Sequence, residues 1–212
     1  MTASPTGDSA WVSIRSPLAA AATIEFCGDV ERLFRVNSLL EFAEWRSTGD
    51  NEFTMTARNL STGRTLATTL RVARLADGCA VTYASGLKTA TTFRVAPHGD
   101  GDDGGAILTV TDDYSGTPED ERARRLDEVD RSLVQWGHDI HRYLVHWRRW
   151  SWLAPWRWYM RRVWQKMKPR GRRISFILIV LAAFEVVTFV LVVAIYGLEL
   201  DRRFELDRWF GG

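Results

Sequence analysis

Between Glu41 and Tyr114 apolar and polar side chains alternate with a period of two, and after Thr117 the period changes to three and four. The alternating stretches cover residues 41–47, 52–60, 65–75, 79–85, 88–96 and 106–114 and are rich in Thr, Val, Phe and Tyr. That pattern predicts β-strands with one buried and one wet face. Turn signals such as Thr48-Gly49-Asp50-Asn51 and Ala76-Asp77-Gly78 separate them, so neighbours are expected to pair as hairpins in one antiparallel meander. Phe53, Met55 and Ala57 alternate with Thr54, Thr56 and Arg58, and Leu66, Leu70 and Val72 with Ala67, Arg71 and Ala73. The first member of each set marks the face that turns inward.

Ahead of the meander, Trp11, Val12 and Ile14 predict a short strand, Pro17 opens a helical stretch through Phe26, and Asp29 caps a second short helix over residues 30–36. Behind it, Leu126, Val129, Leu133, Trp136, Ile140, Leu144 and Trp147 form one apolar stripe. They predict an amphipathic helix of about 30 residues. A long helix with one apolar side, following a curved sheet with one apolar face, is expected to lie across that face. The class is therefore α+β.

The chain does not end there. Pro155 breaks the stripe, and Trp156, Met160, Val163, Trp164 and Met167 then share one side of a second amphipathic segment, with Arg157, Arg161, Lys166 and Lys168 elsewhere. Pro169 and Gly171 separate it from Ile174–Leu198, 25 residues whose only acidic or basic side chain is Glu185. At ~1.5 Å per residue this run is ~37 Å long, enough to cross a ~30 Å hydrocarbon core with some tilt. The expected plan is a loose tail over residues 1–9, a folded domain over 10–150, a membrane-interface segment over 151–173, a transmembrane helix over 174–198 and a short extracytoplasmic tail over 199–212. This excludes a freely soluble protein.

Bulk composition hides the plan. Lys and Arg number 28 against 26 Asp and Glu, a formal net charge of +2. Yet residues 142–173 hold eleven Lys or Arg and no Asp or Glu, and seven of the ten Trp lie between Trp136 and Trp164. Clustered Arg with interleaved aromatics is also a footprint of single-strand nucleic-acid binders. Beside a spanning helix the simpler role is at the bilayer surface, indoles at the headgroup boundary and cations against anionic lipid. Trp150, Trp152, Trp156, Arg157, Trp158, Arg161, Arg162, Trp164, Lys166 and Lys168 are the candidate membrane contacts, expected to hold a cavity mouth near the bilayer, and no nucleic acid is expected. Only Arg202, Arg203 and Arg208 follow the span, mixed with four acids. The positive-inside rule places the N-terminal domain in the cytoplasm.

The order strand, two short helices, six-stranded meander and long helix resembles the START-like superfamily, also called SRPBCC, which includes bacterial polyketide cyclase/dehydrase-like proteins. The resemblance covers roughly residues 11–150. Its most family-like stretch runs from Asp29-Val30-Glu31-Arg32-Leu33-Phe34 to Leu40-Glu41-Phe42-Ala43-Glu44-Trp45-Arg46. It implies a helix-grip fold holding a hydrophobic molecule between sheet and helix: a lipid, isoprenoid, quinone or polyketide. It carries no invariant catalytic signature, and the family contains carriers as well as aromatase/cyclase enzymes. The expectation is a carrier, assembly factor or accessory subunit, single-pass in the inner (cytoplasmic) membrane, with an aromatase/cyclase-type enzyme as the alternative.

Candidate chemistry is sparse. The expected cavity residues are Trp45 at the rim, Phe53, Met55, Leu66, Leu70, Val72, Tyr83, Phe93 and Val95. Of Asp112 and Asp113, adjacent in a strand, only one can face a cavity, and a buried carboxylate there is the one weak catalytic candidate; both are expected to flank a strand end on the surface. His138, His141 and His146 lack the further ligands zinc requires, and the loop Gly99–Gly105 has Thr111 where a calcium loop needs Glu, so no metal is expected. No phosphate loop, hydrolase elbow or zinc-protease motif occurs, and no cofactor is expected. Cys27 and Cys79 are expected as buried thiols. Glu185, near the middle of the span, is expected to pair with a polar group of a membrane-protein partner or a second copy, assisted by Thr188.

Overall fold

The computed structural model describes residues 9–99, 104–118, 120 and 126–210. Residues 1–8, the centre of the acidic loop at 100–103 and Gly212 lie outside them, as do the side chains of Leu126 and Val129. The chain divides into two compact units, residues 1–169 and 170–212.

The first unit begins with strand β1 (Ser9–Ser16), followed by helices α1 (Ala20–Gly28) and α2 (Val30–Arg35). The meander is β2 (Leu40–Gly49), β3 (Glu52–Asn59), β4 (Thr65–Leu75), β5 (Gly78–Tyr83), β6 (Ala90–His98) and β7 (Gly105–Asp113). Each strand pairs antiparallel with the next, and β1 returns to pair with β7, giving the order β1-β7-β6-β5-β4-β3-β2. The helix pair therefore carries the chain from one sheet edge to the other. Asp29 caps α2 by accepting from the Arg32 backbone N–H, leaving fewer orphan donors at its start. Along β2, register shifts between Phe42 and Glu44 and between Ser47 and Gly49 curl the outer edge.

Alternation fixes the faces. Ala106, Leu108, Val110 and Asp112 of β7 are buried, and so are Thr91, Phe93 and Val95 of β6 and Cys79 and Val81 of β5. Helix α3 (Leu126–Trp150) lies over this face with Leu133, Trp136, Ile140, Tyr143 and Leu144 buried. At Gly137 it approaches β1 so closely that an added Cβ would stand 3.3 Å from Val12. The Trp136 indole N–H donates to the Leu33 carbonyl, and its ring meets Phe34 and Phe93 edge-on at 5.2 and 5.4 Å. This is the expected α+β helix-grip arrangement. Two strand ends are shorter than the alternation predicts: β5 stops at Tyr83 and β6 starts only at Ala90, so Lys88 belongs to the β5–β6 connection.

Helix α4 (Ala154–Arg162) and a 3₁₀ turn (Trp164–Lys166) complete the first unit, with Met160 buried. The second unit is helix α5 (Pro169–Phe210). Pro169 and Gly171, expected to interrupt the chain, sit in its first turn, where proline's missing N–H costs nothing. Within it Pro169–Leu198, 30 residues containing a window of mean hydropathy 3.0, is long and apolar enough to cross a membrane.

Candidate functional site

At the end of the sandwich where β3 meets β4 and β5 leads to β6, sheet and helix do not close on each other. A cavity of about 250 Å³ remains there. Its apolar wall comes from Phe34, Leu39, Leu40, Met55, Leu66 and Trp136, and its polar groups include Tyr83, Lys88 and Tyr114. The wall draws on α2, the connections on either side of the hairpins and α3, so one boundary is side chains from loops and another is the meander's inner face.

The polar groups form one connected network. Asp112 is fully buried on β7, facing inward in the same alternation as Leu108 and Val110. Its Oδ2 accepts from the Lys88 ammonium and from the Tyr114 hydroxyl, the latter at 3.2 Å, while its Oδ1 accepts from the Thr91 hydroxyl. Thr91 has one hydroxyl proton and gives it to Asp112, so the Tyr83 hydroxyl, 2.9 Å away, is the donor to Thr91. Burial, reinforced by the negative charge of Asp112, lifts the Tyr83 hydroxyl well above the ordinary tyrosine range and keeps its proton in place. The Lys88 ammonium also lies 5.4 Å from the centre of the Trp136 ring. Asp112 itself does not line the cavity; Lys88 does.

The surface position expected for Asp112 is thus overturned. Only Asp113 turns outward, where it accepts from the Ser115 backbone and hydroxyl. Among the nine expected cavity residues, Met55, Leu66 and Tyr83 line the cavity. Leu70, Phe93 and Val95 are closed into the core, with Trp45, Phe53 and Val72 packed against it. Trp45 sits within 5.8 Å of the Phe34, Phe42 and Phe53 rings, and its indole N–H is buried without a hydrogen-bond partner among the described residues.

The opposite part of the domain is filled. Arg32 of α2 is 6% exposed, and its Nε donates to the Tyr143 hydroxyl at 2.7 Å. Its guanidinium carbon stands 4.1 Å from the Trp147 ring centre, 5.0 Å from Tyr143 and 5.2 Å from Phe26. Tyr143 also packs against Trp164, centroids 5.7 Å apart. Nearby, the Cys79 thiol donates to the Cys27 carbonyl at 3.2 Å, and both cysteines are buried.

The Trp-rich segment is consequently split. Trp156 and Trp164 pack against the domain core, so two of the candidate membrane contacts serve the fold. Trp150, Trp152 and Trp158 are exposed, at 38%, 74% and 63%, and Arg157, Arg161, Arg162, Lys166 and Lys168 are exposed with them. Lys168 pairs with Glu41 at 2.9 Å, and the Arg161 guanidinium lies 5.3 Å from the Trp147 ring. On α5, Glu185 is exposed, and Thr188 donates back to the Phe184 carbonyl at 2.9 Å. His138, His141 and His146 are exposed, and His141 Nδ1 lies 2.7 Å from the Arg15 carbonyl.

No family model and no curated protein matches the chain. Solved structures do. A START superfamily protein from Mycobacterium smegmatis is 13% identical, with a TM-score of 0.48 over 65% of this chain and 99% of that one. An aromatase/cyclase from Streptomyces sp. R1128 is 14% identical, with a TM-score of 0.48 over 68% of this chain and 96% of that one. A conserved protein from Geobacillus kaustophilus is 9% identical, with a TM-score of 0.47 over 66% and 95%. The strand order, the helix pair in the crossover and the long helix gripping the sheet give the domain a helix-grip fold, and an apolar helix follows it.

Proposed function

We propose that the chain is a membrane-anchored binding module whose domain takes up a small hydrophobic molecule, acting as a carrier, assembly factor or accessory subunit. The observation that carries this reading is the cavity with a largely apolar wall left between sheet and helix, beside the packed core. A void of that size lined by Phe, Leu and Met forfeits packing contacts unless something fills it. The attached helix adds a reason for the ligand to be apolar, because a module held at a bilayer can exchange such a molecule without releasing it to water. Binding is favoured over catalysis of the aromatase/cyclase kind: among the described residues no Asp, Glu or His lines the cavity. Asp112 has both oxygens engaged behind the wall.

In this reading α5 crosses the inner membrane once with the domain in the cytoplasm. Trp152, Trp158 and the cations around them lie against anionic headgroups. A reporter fused after Gly212 should then be inactive in the cytoplasm and active outside; cytoplasmic activity contradicts the orientation. Protein purified in mild detergent should release a hydrophobic small molecule on solvent extraction; an empty protein contradicts the binding role.

Glu185 is the intramembrane contact to a partner protein or a second copy. A carboxyl near the centre of a span costs ~2.5 to 3.5 kcal/mol on insertion scales, and a plain anchor gains nothing from it. Thr188 spends its proton within its own helix, so it can offer only an acceptor. Glu185→Leu should leave insertion and domain folding unchanged while loosening association, read by pull-down from mild detergent. Recovery of the same companions at the same stoichiometry contradicts the pairing.

A further inference from the structure

We propose that Lys88 is the polar anchor of the cavity and that the molecule bound there is neutral and mostly apolar, carrying a carbonyl oxygen that accepts a hydrogen bond from the Lys88 ammonium. This deepens the binding reading above and rests on it. An ammonium has three N–H donors. Asp112 takes one, and among the described residues the remaining two have no partner. The side chain is not free to turn them elsewhere, because Asp112 fixes the nitrogen from behind and Trp136 lies under it with the ring centre 5.4 Å away. Asp112 is in turn held by Thr91 and Tyr114, and Thr91 by Tyr83, so the anchor's position is set by a chain of buried hydrogen bonds. What is left is a pair of strong donors on a residue that shares the cavity wall with Phe34, Leu40, Met55 and Leu66.

Charge narrows the ligand class. Lys88 and Asp112 cancel each other, and Asp112 is fully buried. A carboxylate or phosphate in the cavity would add a negative charge beside Asp112 with no cation left over in the buried part of the site, since Arg64, the other cation of the wall, is exposed. An amine would meet the Lys88 charge. A carbonyl oxygen takes up the spare donors and adds no charge, which avoids the cost of desolvating an ion. The volume of about 250 Å³ suits a body of one or two rings, or a short chain, with that oxygen at one end.

The test uses the full chain in detergent and three probes on one skeleton: 2-acetylnaphthalene, 2-ethylnaphthalene and 2-naphthoate. Affinities are measured for wild type and for the double variant Lys88→Met with Asp112→Asn, which removes both charges together and leaves no ion buried alone. Comparing the ketone-to-hydrocarbon ratio between the two proteins in one detergent cancels partition into micelles. The wild type should prefer the ketone by about tenfold more than the double variant does, the worth of one charge-assisted hydrogen bond. An unchanged ratio overturns the anchor while leaving the cavity a binding site, and naphthoate binding more tightly than the ketone overturns the neutral class. Failure of all three probes to bind either protein overturns the binding reading itself. A second measurement needs no variant: the infrared carbonyl stretch of bound 2-acetylnaphthalene should move to lower frequency than in hexane, as hydrogen bonding requires. A stretch at the hexane value overturns the proposal even if the double variant does not fold.

Discussion

Lys88 and Arg32 are both cations drawn into the domain, and the fold treats them differently. Arg32 is enclosed by the rings of Phe26, Tyr143 and Trp147, donates to one hydroxyl and has no ion pair among the described residues. Its Nη2 is buried with no hydrogen-bond partner among the described residues. Lys88 has an ion pair with Asp112 and one ring beneath it, and its side chain keeps 25% exposure. The difference is one of space. Around Arg32 the aromatic rings of α1, α3 and the Trp-rich segment fill the volume, so the cation is a structural fixture bridging helices. Around Lys88 the hairpin connections stand away from α3, and the cation borders a void. A polar group facing a void is available to a ligand; one sealed among rings is not.

The largest effect should come from breaking the Lys88 side of the comparison. Asp112→Ala leaves a cation without its partner and removes the acceptor that Thr91 and Tyr114 donate to. A buried pair broken in this way costs about 3 to 5 kcal/mol, with the lower end expected because Lys88 touches solvent. Urea unfolding of the detergent-purified chain gives the value; a loss below about 1 kcal/mol would mean that Asp112 is not the support of the cavity wall.

Alkaline titration sharpens the contrast through the filled region. Burial pushes the Cys27 thiol up to about 12 and Cys79 to about 11, from an ordinary value near 9, with the neighbouring Cys79 adding to the shift at Cys27. A raised folded-state value means the protonated thiol is favoured in the native state. Its contribution is complete below pH ~9 and is lost as pH rises through the native values, since above pH ~9 the unfolded chain binds fewer protons than the native one. Stability should fall by roughly 3 kcal/mol between neutral pH and pH 10, and a Cys27→Ala, Cys79→Ala variant should lose most of that slope. A slope unchanged in the variant contradicts the assignment.

The smallest effect is expected at Arg32. Arg32→Met keeps the long apolar stem among the rings and removes a cation that has no ion pair, giving up one hydrogen bond and the ring contacts. The net change should be within about 1 kcal/mol, read from the same unfolding curves, with ligand release unaltered. A loss as large as that of Asp112→Ala would show that the aromatic cage is a stabilising site in its own right.

Much of this was legible in the sequence because regular elements obey a period. Alternation along residues 52–75 identified the inner face, and Met55, Leu70 and Ala57 are all buried on it. The same alternation along Leu108, Val110 and Asp112 points the carboxylate inward, yet its position at a strand end suggested the surface. Here the register of β7 against Thr91 of β6, a long-range fact, decided. Lys88 and the lining residues Leu39, Leu87 and Tyr114 were not legible, because they sit in or beside connections, where no period dictates direction. Phe93 illustrates the converse: its face was correct, but α3 brings Trp136 onto it and closes it into core. In the Trp-rich segment the helical period grouped Trp156, Met160 and Trp164, and the structure turns that side onto the domain and leaves Trp152 and Trp158 outward.

The central claim is that the void beside Lys88 holds a hydrophobic molecule. Met55, buried and lining the cavity, offers the most direct test, since Met55→Trp pushes an indole into the space at a cost of about 1 to 3 kcal/mol if any overpacking results. Wild type and Met55→Trp are purified from the same membranes in the same detergent, extracted with organic solvent and compared by mass spectrometry at equal protein. The account predicts a small hydrophobic compound at near one-to-one stoichiometry in the wild type and its loss from the filled variant. An extract from wild type that contains only bulk lipid, indistinguishable from that of Met55→Trp, would contradict it.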